Sequence, residues 1–176
     1  MALSKIQSES INLADTFAFT GTVSGAGKIG QVISTTKTDT FTTSATDFTN
    51  ITGLSVAITP SATSSKILLL INAQVGGQGS VNNFLGLKRG STVIAVGDAA
   101  SSRIRALVST MQNADSSLNG VSASFLDSPS STSEVTFQVT GYSRTGQFYI
   151  NRSRTDTDDN TFPRTVSTIT AIEVLA

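Results

Sequence analysis

The chain has no cysteine and no histidine among its 176 residues. Without cysteine, disulfides contribute nothing to its stability. The two absences together exclude Ser-His-Asp and Cys-His catalysis and the usual ligand sets of zinc and iron sites. No Gly-x-Ser-x-Gly nucleophile motif occurs either. We therefore predict no catalytic residues, no metal, no cofactor and no enzyme activity.

Charge is also scarce, because only 14% of the residues are charged, and the 12 basic residues balance the 12 acidic ones. A chain without net charge has no general attraction to nucleic acid or to an anionic membrane. No apolar run approaches the ~20 residues of a membrane-spanning helix, and the N-terminus has no apolar signal core. We expect no nucleic-acid partner and no membrane insertion.

Serine and threonine are abundant, at roughly 30% of the chain, well above ordinary globular usage. Threonine favours strands and serine favours turns. The clearest strand lies in Ser64–Gly77, where Ile67–Ile71 is apolar on both faces and the residues up to Val75 then alternate between apolar and polar. Burial of both faces implies a second sheet, or a neighbouring subunit, on the far side.

Other period-two segments and turn signals predict eight to ten strands and no firm helix, which is typical of a β-sandwich or jelly roll. Gly90-Ser91 predicts a two-residue hairpin in which Leu87 faces Ile94 and Leu85 faces Val96. The segment 103–111 has helical spacing in an all-β context, so helix and strand both stay open. The predicted strands span residues 31–34, 38–43, 54–59, 64–77, 83–89, 92–96, 121–126, 134–142, 147–151 and 166–175.

Apolar residues recur at odd positions between residues 11 and 23, which predicts an extended chain with one apolar edge. Gly25 and Gly27 follow as a flexible hinge. We interpret residues 1–28 as an arm that docks on a partner by strand addition or in a groove, and residues 29–176 as the sandwich. The alternative is that the segment is the first strand of the sandwich. The predicted docking residues are Ile11, Leu13, Phe17, Phe19 and Val23.

Two motifs resemble ligand sites and are better explained otherwise. Gly25–Gly30 matches Gly-x-Gly-x-x-Gly, but a strand-forming sequence follows it, where a dinucleotide site needs a helix N-terminus. Asp156–Asn160 places oxygen atoms at alternate positions, but the glycine and glutamate of a calcium loop are missing. We interpret the first as a hinge and the second as a solvated loop.

The chain contains, in this order, Ser65–Ile71, Leu87–Ile94, Gly97-Asp98, Phe125–Pro129, Gln147–Asn151 and Ser167–Val174. This order resembles the C-terminal domain of tail-fibre-like virion proteins of tailed, particularly marine, bacteriophages. Asn12–Val23 is similar to the short segment that precedes that domain. The resemblance implies a jelly roll of the complement-head or tumour-necrosis-factor kind, usually a homotrimer. Because only about 28 residues precede the head, a short spike, a fibre tip or a capsid decoration is favoured over a long fibre.

The expected fold is therefore an all-β jelly-roll sandwich that follows an extended arm and forms trimers. In the favoured hypothesis, the protein is structural: made in the host cytoplasm, it joins the virion surface as a capsid decoration or tail appendage, docked on another virion protein. In the alternative, the head recognises a host-surface glycan or protein. The predicted subunit contacts are Leu69, Ile71, Val166 and Ile172. The candidate receptor contacts are Tyr142, Arg144, Tyr149, Arg152 and Arg154.

Overall fold

The computed structural model describes residues 28–175. The predicted docking residues Ile11, Leu13, Phe17, Phe19 and Val23 lie outside the described residues. The described chain begins directly with a strand at Lys28, so the last three residues of the glycine motif, predicted as a hinge, lie in a strand, which continues through the predicted strand residues 31–34.

The described residues form eleven strands and no helix, which confirms the predicted all-β class. The strands are β1 (Lys28–Lys37), β2 (Phe41–Thr43), β3 (Thr49–Ile58), β4 (Lys66–Gly77), β5 (Asn82–Arg89), β6 (Thr92–Ile94), β7 (Val108–Met111), β8 (Leu118–Asp127), β9 (Val135–Ser143), β10 (Phe148–Ile150) and β11 (Ser167–Leu175). The ambiguous segment 103–111 thus ends in a strand, β7.

The strands form two antiparallel sheets that pack face to face as a β-sandwich. In sheet A, the order is β1-β11-β4-β8. Beyond the end of β11, β10 pairs with the same edge of β4, and β2 pairs with β10. In sheet B, the order is β3-β9-β5, and the far edge of β5 pairs with β7 and then with β6.

The alternation of β4 places its side chains on two faces of sheet A. Ile71, Ala73 and Val75 are buried between the sheets, whereas Asn72 is exposed, which confirms the predicted pattern. The other large core side chains come from both sheets: Ile51, Leu54, Val56, Ile58, Ile67, Leu69, Leu85, Leu87, Phe137, Val139, Phe148, Ile150 and Ile169.

The two ends of the sandwich carry different loops. We call the end where Lys28 pairs with Leu175 the base, and the end where Gly76 pairs with Leu118 the apex. The described chain therefore begins at the base. The apex carries the loops of residues 78–81, 112–117, 144–147 and 151–166.

Of the two apolar pairs predicted for the hairpin of β5 and β6, the structure contains one. The pair of Leu87 with Ile94 is confirmed. The predicted pair of Leu85 with Val96 is wrong, because β6 ends at Ile94 and Leu85 pairs with Val108 in β7. The residue after Ile94 has a φ of 54°, which turns the chain out of the ladder.

Candidate functional site

A row of apolar side chains crosses the outer face of sheet A near the base. Val32 in β1 pairs with Ile172 in β11. Leu68 in β4 pairs with Ile172 on one side and with Leu126 in β8 on the other. Val32 is 58% exposed and Leu126 is 48% exposed. We call these four residues the apolar row; it crosses the four strands β1, β11, β4 and β8 of sheet A.

The apolar row continues in both directions along the strands. Leu70 lies one step toward the apex, and Ile29 pairs with Val174 one step toward the base. Beyond Leu70, polar side chains line an open depression of about 490 Å³. Its polar lining residues are Asn72, Ser122, Ser124, Thr168 and Thr170.

The apex part of the same face is covered by the chain itself. A Cβ on Gly76 would come within 2.2 Å of the carbonyl oxygen of Arg152, so the loop after β10 lies directly on the sheet there. The Arg152 guanidinium lies 4.6 Å from the ring centre of Tyr149 and pairs with Asp156 at 2.9 Å. Among residues 28–175, the part of the outer face that no loop covers is therefore the part toward the base.

The predicted subunit contacts divide between the two faces of sheet A. Leu69 and Ile71 point into the sandwich core and are buried within one subunit. Ile172 points outward, in the apolar row, and exposed Val166 directly precedes β11. On β4, the outward positions are the alternate residues, including Leu68, because side chains alternate along a strand.

The predicted receptor contacts do not form one cluster. Tyr149 is buried on sheet A under Arg152, and its hydroxyl donates to Gln147. Arg154 pairs with Asp115 at 2.7 Å in the apex loops. These contacts hold the loop of residues 151–166 in place.

Tyr142 and Arg144 lie on the other sheet. Tyr142 points outward from sheet B and packs against Phe48 at 5.5 Å and Phe84 at 5.4 Å between ring centres. Arg144 is exposed just after β9, at the apex. We call Phe48, Phe84 and Tyr142 the aromatic patch. Sequence patterning missed Phe48 and Phe84, although Phe84 alternates with Leu85 along β5 as outward and inward residues.

A buried carboxylate at the base was also missed. Glu173 is 1% exposed and points inward from β11. Its Oε1 accepts hydrogen bonds from Ser61 N at 2.6 Å and Ser61 Oγ at 2.7 Å, and its Oε2 accepts one from Gln31 at 2.8 Å. Burial acts to raise the pKa of Glu173, but these donors outweigh it and lower the pKa from the ordinary 4.5 to about 2. The charged group fixes the β3–β4 loop to β1 and β11.

A neutral network occupies a corresponding place toward the apex. Asn151 is fully buried, with a φ of 62°. Its Nδ2 donates to the carbonyl oxygens of Lys37 and Asp39, each at 2.9 Å, and its Oδ1 accepts a hydrogen bond from Ser167 at 2.7 Å. Asn and Asp tolerate this backbone region better than other non-glycine residues. Asn151 therefore has a structural role.

Two of the three acidic side chains in the loop of residues 156–160 have partners among the described residues. Asp156 pairs with Arg152 and Arg164, and the hydrogen bond from Arg164 is the main cause that lowers the pKa of Asp156. Asp159 accepts hydrogen bonds from Thr161. Among residues 28–175, no group of three or more acidic side chains is placed to hold a metal ion.

Comparisons with known proteins add no family. No protein-family model matches the chain, and no curated protein matches it significantly. Within residues 28–175, no helix is long and apolar enough to cross a membrane.

Proposed function

We propose that the chain is the subunit of a homotrimeric structural protein on the surface of a tailed bacteriophage particle. It acts as a capsid decoration or short tail appendage, and its subunits meet through the outer face of sheet A. The observation that carries this proposal is the apolar row, four outward side chains in register across four strands.

An apolar row of this extent favours a protein partner. Complete burial of a fully exposed aliphatic side chain contributes roughly 1.5–3 kcal/mol. The four residues are already partly buried in one chain, so each adds a fraction of that amount, and together they offset part of the cost of association. Contiguous exposed apolar surface on a soluble protein typically marks an interaction site. A second copy is the favoured partner, because closed symmetric homo-oligomers are the commonest assemblies.

The trimer and the virion rest on the sequence resemblance. The strand orders β1-β11-β4-β8 and β3-β9-β5-β7 supply the eight strands in two sheets that a jelly roll requires. In such a trimer, Leu68 and Leu70 replace the inward Leu69 and Ile71 as contacts, and Ile172 is retained.

One leucine and one valine, equally exposed but on different sheets, provide a matched pair of substitution sites for testing the interface. Leu70 and Val93 are each 41% exposed, on sheets A and B respectively. We expect light scattering of the wild type to give three times the 18.3 kDa chain mass. Leu70→Asp should give monomers, because it places a charge in the contact, while Val93→Asp should stay trimeric. A folded wild-type monomer, or a trimeric Leu70→Asp variant, would contradict the proposal.

A truncation tests the proposed docking arm. Deleting residues 1–27 removes the predicted apolar edge and leaves β1 intact from Lys28. We expect a folded trimer that no longer joins particles, measured by quantitative mass spectrometry of purified virions. Phe17→Ser with Phe19→Ser should reduce incorporation less completely. Incorporation of the truncated protein at the wild-type level would show that the arm is not the anchor, and failure to fold would favour the first-strand interpretation.

The location on the particle separates the two structural roles. Immuno-electron microscopy with antibodies against the head should label either the capsid or the tail of intact particles. Labelled capsids indicate a decoration protein and labelled tails an appendage. Particles without label would contradict a role on the virion surface.

The aromatic patch favours a second candidate function, recognition of a host-surface glycan or protein. Phe48, Phe84 and Tyr142 pack together on the outer face of sheet B, and exposed Arg144 follows at the apex. Aromatic and arginine side chains dominate the energy of many recognition surfaces. This surface lies at the end opposite Lys28, from which the proposed arm leaves.

Binding to host cells and to arrays of bacterial surface glycans tests this second function. Tyr142→Ala with Arg144→Ala should abolish binding that the wild type shows. Arg103→Ala, which changes an exposed arginine on a different loop, should leave binding unchanged. No binding by the wild type, or equal loss in the control, would contradict recognition by the aromatic patch.

A further inference from the structure

Two buried amide side chains near the apex have no hydrogen-bond partner among the described residues. Asn83 in β5 and Gln112, directly after β7, are both 0% exposed. The unpartnered atoms are Nδ2 and Oδ1 of Asn83 and Nε2 and Oε1 of Gln112. Because buried polar atoms in folded proteins are nearly always paired, these four atoms need donors and acceptors from another source.

The two amides lie against the same glycine. A Cβ added to Gly77 would come 2.0 Å from Nδ2 of Asn83 and 3.2 Å from Cγ of Gln112. Both side chains therefore approach the bare backbone at the end of β4 and are neighbours inside the sandwich. A larger residue at position 77 would collide with the Asn83 amide.

The strand neighbours of Asn83 already have partners of their own. Asn83 pairs with Thr110 in β7 and with Ser143 in β9. The Thr110 hydroxyl accepts a hydrogen bond from Asn119 at 2.9 Å, and the Ser143 hydroxyl donates to the Thr145 carbonyl at 3.1 Å. The adjacent hydroxyl groups thus do not supply what the amides lack.

The backbone of Gln112 also holds the loop that follows Gly77. Its carbonyl oxygen accepts a hydrogen bond from Ser80 N at 2.7 Å, and Gly79 forms a β-bridge with Gln112. The loop of residues 78–81 is thereby fixed to the residue that bears one of the two amides. A group bound between the amides would support this part of the apex from inside.

We propose that Asn83 and Gln112 form an internal water-binding site. Each amide has two N–H donors and a carbonyl acceptor, and a water molecule can both donate to and accept from them. Buried waters typically make about 3 hydrogen bonds to otherwise unpaired polar groups. Both amides belong to one subunit, so this site does not depend on the proposed assembly.

A crystal structure at a resolution that shows ordered water gives the direct test. We expect at least one water within hydrogen-bonding distance, about 2.7–3.2 Å, of an amide atom of Asn83 and of Gln112. A direct hydrogen bond between the two amides, or no water density between them, would overturn the proposal.

Magnetic relaxation dispersion of water nuclei provides a test in solution, because it counts long-lived internal waters. Asn83→Leu should lose at least one such water relative to the wild type. The neighbouring Asn82→Leu is the matched control and should lose none, since Asn82 is only partly buried and its strand neighbour Asn83 points inward. Gln112→Leu serves as the second variant if Asn83→Leu does not fold. An unchanged count in the folded variants would overturn the proposal.

Discussion

The inner face of β11 has a buried polar residue at each end, and the two ends are stabilised differently. Between them lie the core residues Ile169 and Ala171. Toward the apex, Ser167 joins the neutral network of Asn151. At the base, Glu173 keeps its charge through hydrogen bonds from uncharged donors. A buried neutral amide has the same charge at any ordinary pH, whereas a buried carboxylate does not.

The comparison teaches where the stability of the sandwich responds to acid. Each network joins segments that are far apart in sequence, so each fixes loops that local preferences leave free. Loss of either network should destabilise the fold, but only the loss of stability caused by breaking the network at the base should depend on pH. Three substitutions test that distinction.

The largest effect is expected for Asn151→Ala. The buried Lys37 carbonyl and Ser167 hydroxyl and the partly buried Asp39 carbonyl lose their partner. Alanine must also take a left-handed backbone conformation, so the free energy of unfolding should fall by roughly 3–5 kcal/mol. Urea unfolding at fixed protein concentration measures the change. Asn160→Ala, in an exposed loop position, should cost little. If both variants cost the same, the buried network would not be the source of the effect.

Glu173→Gln should lower the free energy of unfolding by less than Asn151→Ala does, about 2 kcal/mol at neutral pH. The reason is that Gln brings an N–H group against donors that need an acceptor. The depressed pKa stabilises the wild type fully above the ordinary value of 4.5, and this contribution is lost as the pH falls toward about 2. The gap between wild type and variant should therefore shrink over that range.

The loss caused by Asn151→Ala should stay constant over the same pH range, which makes that variant the control for Glu173→Gln. Stability measured from pH 7 to pH 2 checks both. A gap for Glu173→Gln that does not change with pH would contradict the charged network at the base.

The smallest effect is expected for Arg89→Met, which should lower the free energy of unfolding by about 1 kcal/mol. Arg89 pairs with the largely buried Asp127 at 2.9 Å, near the base. Its removal tests whether charge at the base stabilises the fold beyond Glu173. Thermal unfolding of Arg89→Met and of the exposed control Arg103→Met measures the difference. Equal melting temperatures for the two variants would show that the Arg89–Asp127 pair does not stabilise the fold, which would leave Glu173 as the stabilising charge at the base.

The sequence contained enough information to locate most of the strands and to assign one face of β4, while β7 stayed ambiguous and only parts of β1 and β3 were predicted. The alternation from Ile71 to Val75 has a definite phase, and the burial of Ile71 and exposure of Asn72 confirm it. Extended backward, the same phase places Leu69 inside and Leu70 outside. The predicted contacts Leu69 and Ile71 came from an apolar run without internal alternation, in which each residue alone is an equal candidate for either face.

The polar networks could not be read from the sequence, because their partners are distant. Asn151 is 114 residues from Lys37, and Glu173 is 112 residues from Ser61. Neither residue belongs to a local motif, and the sequence gives no reason to expect that the charged Glu173 in an apolar strand is buried and hydrogen-bonded. The aromatic patch was missed for a similar reason: Phe48 reaches Tyr142 only through the pairing of β3 with β9.

The pairing of Lys28 with Leu175 decides where a reporter can be attached. A fluorescent protein joined after Leu175 would emerge beside Lys28, at the start of β1. Exposed positions such as Thr157 and Asp158 belong to the apex loop of residues 151–166, at the other end of the sandwich from the pair of Lys28 with Leu175, and small insertions are best tolerated in exposed polar loops. A short epitope inserted there would label the protein without disturbing the pairing of Lys28 with Leu175.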